Sequence, residues 1–165
     1  IGEIGLDWNW NYGTKKLQIE LFEAQIELAN KYKLPILIHN READKEVIET
    51  LKTTPPSSGG IVHCFSSDYQ AAVNFLDLGL SISFAGNATY KKNSNLREVA
   101  AQIPEESIFV ETDSPYLSPQ KVRGKLNHPG HIGFIYETIA ECRKMAIDEL
   151  IISVKDNFLK LFNPE

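Results

Sequence analysis

Cysteine is scarce in this sequence. Only Cys64 and Cys142 occur, far apart and in no Cys-x-x-Cys arrangement. That excludes a small disulfide-built scaffold and sets the expectation of a reduced, cytoplasmic protein. Long apolar runs are missing as well. No stretch approaches the ~20 apolar residues of a membrane helix, and no basic segment followed by an apolar run marks a signal peptide. Nor is there an excess of positive charge, since 17 basic against 22 acidic residues leave a net −5. The chain therefore lacks the global attraction to phosphate that many nucleic-acid binders use. An acidic balance still admits a nucleic-acid enzyme whose metal ions bring the positive charge.

Linkers, repeats and low-complexity tracts are also absent, so residues 1–165 are read as one domain. The first residue is Ile rather than Met, and a strand-like run, Ile1-Gly2-Glu3-Ile4-Gly5-Leu6-Asp7, begins at once. The expectation is that the chain opens inside a larger fold.

What is present is a rhythm. Short apolar runs end in His39, in His63, at Phe84 before Gly86, and in Glu111, and they suit parallel strands covered on both faces. Amphipathic segments lie between them. Residues 14–32 carry Leu17, Leu21, Gln25, Leu28 and Tyr32 on one line, with Phe22, Ile26 and Ala29 beside it, and Thr14 as N-cap. Helices are also predicted over 41–52, over 68–78 with Gly79 as C-terminal cap, from an Asn95-x-x-Glu98 capping box to near Pro104, and over 130–146 and 148–162. This alternation is the α/β pattern of right-handed βα units.

The polar residues that close the apolar runs carry the chemistry. Glu3 and Asp7, His39, His63, and Glu111 with Asp113 recur about one βα unit apart. In a parallel α/β barrel the C-terminal strand ends converge on one face, where active sites are built. For any one of these residues, capping a helix or packing in the core is the plainer role. Four at matching positions of separate units point instead to a ligand set. Two imidazoles and two carboxylates, Glu3, His39, His63 and Asp113, suit Zn, Mn or Mg.

At these residues the chain resembles the TatD family of metal-dependent deoxyribonucleases, amidohydrolase-like barrels. The matching segments are Gly2-Glu3-Ile4-Gly5-Leu6-Asp7, Pro35-Ile36-Leu37-Ile38-His39-Asn40-Arg41, His63-Cys64-Phe65-Ser66, Glu111-Thr112-Asp113-Ser114-Pro115-Tyr116-Leu117 and Arg123-Gly124-Lys125-Leu126-Asn127-His128-Pro129. Gln18-x-x-x-Phe22-x-x-Gln25 and Asn157-x-x-x-x-Phe162 also fit. The resemblance implies a (β/α)8 TIM-barrel hydrolase that cuts phosphodiester bonds in DNA, often from the 3′ end, with two divalent ions. Glu3 would then bridge the ions, His39 and His63 would ligate, and Asp113 would hold a metal and accept a proton from the attacking water, with Glu3 and Asp113 as the catalytic pair. Thr112 is expected to orient ligands.

Arg41, Arg123 and Lys125 are the expected phosphate contacts. Trp8, Trp10 and Tyr12 could stack on bases, although packing onto the barrel mouth is the plainer reading for them. Cys64 is expected to shape the pocket wall rather than react.

Two departures set further expectations. His128 stands where the family usually has Glu. The family's opening His-x-His strand has no counterpart here, which leaves one metal position incomplete. Barrels of this type run to ~250 residues, so the chain is read as the last five βα units and C-terminal helices of a barrel lacking its N-terminal third. Its sheet would have bare edges at residues 1–7 and 107–113, open to self-association. The competing reading is a partial barrel kept as a binding or structural module, and hydrolysis of another ester or an amide also stays open.

Overall fold

The computed structural model describes residues 1–162. Five strands, β1 (Ile4–Asp7), β2 (Ile36–Arg41), β3 (Gly60–Val62), β4 (Leu80–Phe84) and β5 (Ile108–Val110), lie side by side in chain order. Each pairs in parallel with the next. Chain order with parallel pairing puts every C-terminal strand end on one edge of the sheet. Among the described residues β1 pairs only with β2 and β5 only with β4.

The helices are α1 (Lys15–Tyr32), α2 (Asp44–Thr53), α3 (Tyr69–Asp77), α4 (Ser94–Gln102), α5 (Ile132–Arg143) and α6 (Ile147–Phe162). Leu6, Ile38, Ile82 and Ile108 of the sheet are fully buried, with Phe22 and Ile26 of α1, Leu51 of α2 and Phe75 of α3 in the same cluster. The two last helices are tied in by polar side chains, Asn157 buried and Arg143 half-buried. Asn157 of α6 donates from Nδ2 to the carbonyls of Glu105 (2.9 Å) and Ile108 (3.0 Å). Arg143 of α5 donates to the carbonyls of Ala100 and Ile103 at the end of α4.

Several expectations change in detail. Thr14 does cap α1, its hydroxyl accepting the Leu17 N–H at 3.2 Å. The buried face of α1, however, is Phe22, Ile26 and Ala29, while Leu17, Leu21, Leu28 and Tyr32 stay exposed. The two apolar lines adjoin on the helix, and the line of Phe22, Ile26 and Ala29 is the one buried in the core. Helix α2 starts at Asp44 rather than 41, because Asn40 and Arg41 remain paired in β2 with Leu6 and Asp7. Helix α4 starts after Asn93, which makes no side-chain cap, so the Asn95 capping box does not form.

Glu3 does not end β1 but precedes it. Ile1 already pairs with β2, its ammonium donating to Pro35 O and its carbonyl accepting from Leu37 N–H, and pairing resumes at Ile4 opposite Ile38. Three steps in the first chain thus oppose two in the second, and the extra residue falls at Gly2-Glu3. Such a bulge re-aims a side chain.

Candidate metal centre

The C-terminal ends of β1, β2, β3 and β5 surround one cleft of about 860 Å³ lined by Glu3, Asp7, His39, His63, Cys64 and Asp113. Glu3 stands between the two histidines. Its Oε1 is 3.0 Å from His63 Nε2 and its Oε2 is 3.8 Å from His39 Nδ1. Asp113 Oδ1 approaches the same His63 Nε2 to 3.7 Å. The structure therefore brings Glu3, His39, His63 and Asp113 together from four separate units.

Each imidazole is oriented from behind by a carboxylate. His63 Nδ1 lies 2.6 Å from Glu111 Oε2, and Glu111 Oε1 accepts the Cys64 N–H at 2.7 Å. Burial works against ionisation of Glu111, but the hydrogen bond and charge of His63 hold its carboxyl below the usual 4.5. An ionised carboxylate only accepts, so Nδ1 carries the proton and Nε2 points at Glu3 and Asp113. His39 repeats the arrangement through Asp7, whose Oδ2 is 2.9 Å from Nε2. Burial opposes ionisation of Asp7 too, but the Trp10 N–H, the His39 ring and the Asn9 N–H lower its pKa below 3.8. That leaves His39 Nδ1 to face Glu3. A carboxylate behind a ligating histidine fixes its tautomer and raises its basicity.

The backbone is shaped to the same end. Asp7 is pinned by Gln18, which accepts the Asp7 N–H at 3.0 Å and donates to its carbonyl at 3.2 Å. Gly5 has φ +143°, and a Cβ there would collide with the His39 carbonyl. A Cβ on Gly86 would likewise collide with the carbonyl of Leu117, in the loop that carries Asp113. Cys64 and Asp113 both adopt left-handed φ, 47° and 53°, a conformation that side chains bearing a Cβ hold only when surroundings enforce it.

The charges fit a cation. Burial pushes the Asp113 carboxyl above its usual 3.8; the His63 charge opposes this, and Glu111 and Glu3 push it further up. Burial alone would lower the His63 pKa, but Glu111, Glu3 and Asp113 raise it above 6.5. Three carboxylates thus crowd one imidazole, and a divalent ion would relieve their repulsion with ligands of the right hardness. His63, Cys64 and Asp113 also offer donor atoms within 4.8 Å of one another. The Cys64 thiol is pushed far up by burial and by Asp113 and Glu111, so it is no nucleophile, as a pocket-wall role requires.

Other expected site residues are distributed differently. Arg41 lines the cleft, whereas Arg123 does not; its guanidinium lies over the Tyr90 ring at 4.2 Å. Lys125 is exposed and also outside the cleft lining. Thr112 bonds to Ser114 rather than to a ligand, so the orienting groups are carboxylates. Trp8 packs against the core, but Trp10 and Tyr12 are 63% and 70% exposed and line the cleft, against the packing reading. Tyr116, equally exposed, joins them at the mouth. At His128 the backbone N–H and carbonyl enter the local network, while its ring stacks on His131.

Glu111 and Asp7, which contact the two histidine rings from behind, are positions that sequence reasoning left without a role. Their signal was present, since each stands within four residues of a proposed ligand at a strand end.

Residues 1–163 match the family model described as TatD related DNase. The chain belongs to the TatD family. Two curated relatives are described as uncharacterized metal-dependent hydrolases. YabD of Bacillus subtilis is 38% identical over 98% of this chain and 64% of its own length. YcfH of Escherichia coli is 37% identical over 99% of this chain and 62% of its own. The chain spans just under two thirds of the curated relatives it matches.

Among solved structures, the TatD homologue YjjV of Escherichia coli superposes with a TM-score of 0.93 at 32% identity, covering 99% of this chain and 63% of that one. A TatD family hydrolase from Entamoeba histolytica gives 0.89 at 25%, covering 100% and 63%. An uncharacterized amidohydrolase from Saccharomyces cerevisiae, at 19% identity and 0.85, shares the fold. The family match runs along the chain over residues 1–163.

Proposed function

We propose that this TatD protein hydrolyses phosphodiester bonds of DNA with divalent metal ions held at the cleft. The observation that carries the reading is the placement of Glu3, which turns one carboxylate oxygen toward each histidine. That geometry suits a carboxylate bridging two ions, with His63 and Asp113 on one side and His39 on the other. A bound divalent ion lowers the pKa of water and neutralises charge on a phosphoryl oxygen.

The protein's own groups do the rest. Glu111 and Asp7 hold the two rings, so that His63 Nε2 and His39 Nδ1 are the nitrogens directed at Glu3. Asp113 stands at the mouth of the site and accepts the proton that the attacking water loses. Arg41 forks onto a non-bridging phosphate oxygen, and exposed Trp10 and Tyr12 support the flanking bases. Arg123 and Lys125, outside the cleft lining, would meet phosphates farther along the strand.

The test uses the full chain, freed of metal and reloaded with Mn²⁺ or Mg²⁺, on a labelled oligonucleotide and on a set of carboxylic ester and amide substrates. Metal-dependent cleavage of the oligonucleotide, lost in Glu3→Ala and Asp113→Ala, is expected. Turnover of an amide or carboxylic ester with the DNA left intact would overturn the substrate reading. Metal binding without turnover of any of them would favour the binding-module reading instead.

A further inference from the structure

Asn127 is 3% exposed, and its side chain is saturated with hydrogen bonds. Nδ2 donates to the carbonyls of Thr112 (2.8 Å) and Tyr116 (2.6 Å). Oδ1 accepts from the His128 N–H (3.0 Å) and from His131 Nδ1 (3.0 Å). The reverse amide orientation would set an oxygen against two carbonyls and an NH₂ against a backbone N–H, so the network itself decides the orientation. Because Oδ1 only accepts, His131 carries its proton on Nδ1. The Asn127 N–H adds a longer bond to Pro115 O at 3.3 Å.

The two carbonyls that Nδ2 grips bracket Asp113. The Tyr116 N–H bonds to Asp113 O at 2.9 Å and closes this turn, within which Asp113 takes its left-handed φ of 53°. A non-glycine residue keeps that conformation only if its neighbours over-determine it. Asn127 supplies that restraint from a segment separated in sequence from the turn. His131, on the turn Pro129–His131 before α5, braces the far end of the amide.

We propose that Asn127 is a positioning residue of the metal centre, its amide clamping the Thr112–Tyr116 turn so that the Asp113 carboxylate faces His63. The inference rests on the reading of Asp113 as a metal ligand. It assigns the segment that contains His128 a task in metal affinity rather than in contact with substrate.

The experiment is Mn²⁺ titration of the metal-free full chain by calorimetry, carried to millimolar metal so that weakened sites stay measurable, with melting temperature recorded in parallel. Asn127→Asp keeps the shape but turns an oxygen on each gripped carbonyl. It is expected to weaken Mn²⁺ binding about tenfold or more, the scale seen when outer partners of ligands are removed. In an Asp113→Asn background the same change is expected to add no further loss of affinity, while its effect on melting persists. A purely structural Asn127 would lower the melting temperature and leave Mn²⁺ affinity unchanged, or would cost the same affinity in both backgrounds; either result overturns the proposal.

Should Asn127→Asp fail to fold, His131→Ala takes its place. It removes only the outer brace, and a smaller affinity loss that vanishes with Asp113→Asn is expected; no loss overturns the clamp. If Asp113→Asn alone leaves Mn²⁺ binding intact, the ligand reading falls and the proposal with it. If Asp113→Asn weakens binding and the clamp variants do not, only the proposal falls.

Discussion

Glu111 grips both His63 and the residue after it, one oxygen 2.6 Å from the His63 ring and the other taking the Cys64 N–H at 2.7 Å. The carboxylate thus sets the ring's tautomer and the backbone turn that carries it. Glu111→Gln keeps the shape but loses the charge. It is expected to weaken metal binding about tenfold and to lower stability by about 1.5–3 kcal/mol, the range for hydrogen bonds to charged groups. Metal titration and urea unfolding measure the two effects, and an unchanged metal affinity would remove Glu111 from the centre.

The same pair sets a pH dependence in the metal-free protein. The His63 pKa is raised above 6.5, so its contribution is complete below 6.5 and fades as pH climbs through the folded value. The Glu111 pKa is lowered below 4.5, so its contribution is complete above 4.5 and fades as pH falls through the folded value. The melting temperature gap between wild type and Glu111→Gln, in chelator, is expected to be widest between 4.5 and 6.5 and to narrow on both sides. A gap of constant width from acid to alkaline pH contradicts the assignment.

Gly5 is expected to tolerate no side chain. Its left-handed φ and the His39 carbonyl beside it make Gly5→Ala both strained and overpacked. A loss of at least about 2 kcal/mol follows from such a combination. Urea unfolding measures it, and a near-neutral substitution would mean that β1 and β2 can separate without cost.

Trp10 and Tyr12 carry exposed rings at the mouth and contribute little to the core. Their alanine variants are expected to melt like the wild type but to bind an unpaired oligonucleotide more weakly, by about 1–3 kcal/mol for each base that stacks. Quenching of Trp10 fluorescence on titration reads the contact directly. Binding that is indifferent to both substitutions leaves the rings without a role in recognition.

Much of the site could be read from residue types at strand ends, because parallel strands bring those ends together whatever the details of packing. His39, His63 and Asp113 follow from that rule alone. Asp7 and Glu111 do not, since their roles depend on which ring nitrogen each carboxylate reaches, a matter of rotamers rather than of spacing. Glu3 illustrates a further limit: its aim comes from a bulge at Gly2-Glu3 that no alternation pattern announces. On α1, periodicity shows two adjoining apolar lines and cannot say which one meets the sheet. The packed structure shows it to be the line of Phe22, Ile26 and Ala29.

The ladder from β1 to β5 has a consequence for how the protein acquires its chemistry. Glu3 enters from just before the first strand and Asp113 from beyond the last, so their meeting requires every intervening crossover to be in place. Such non-local pairings form late and slowly along a folding pathway. The unfolded chain does not hold this set together, so a divalent ion held as proposed would favour the native state and shift the folding equilibrium by mass action. Metal uptake during refolding would then be a clock for completion of the sheet, running behind any probe of helix formation.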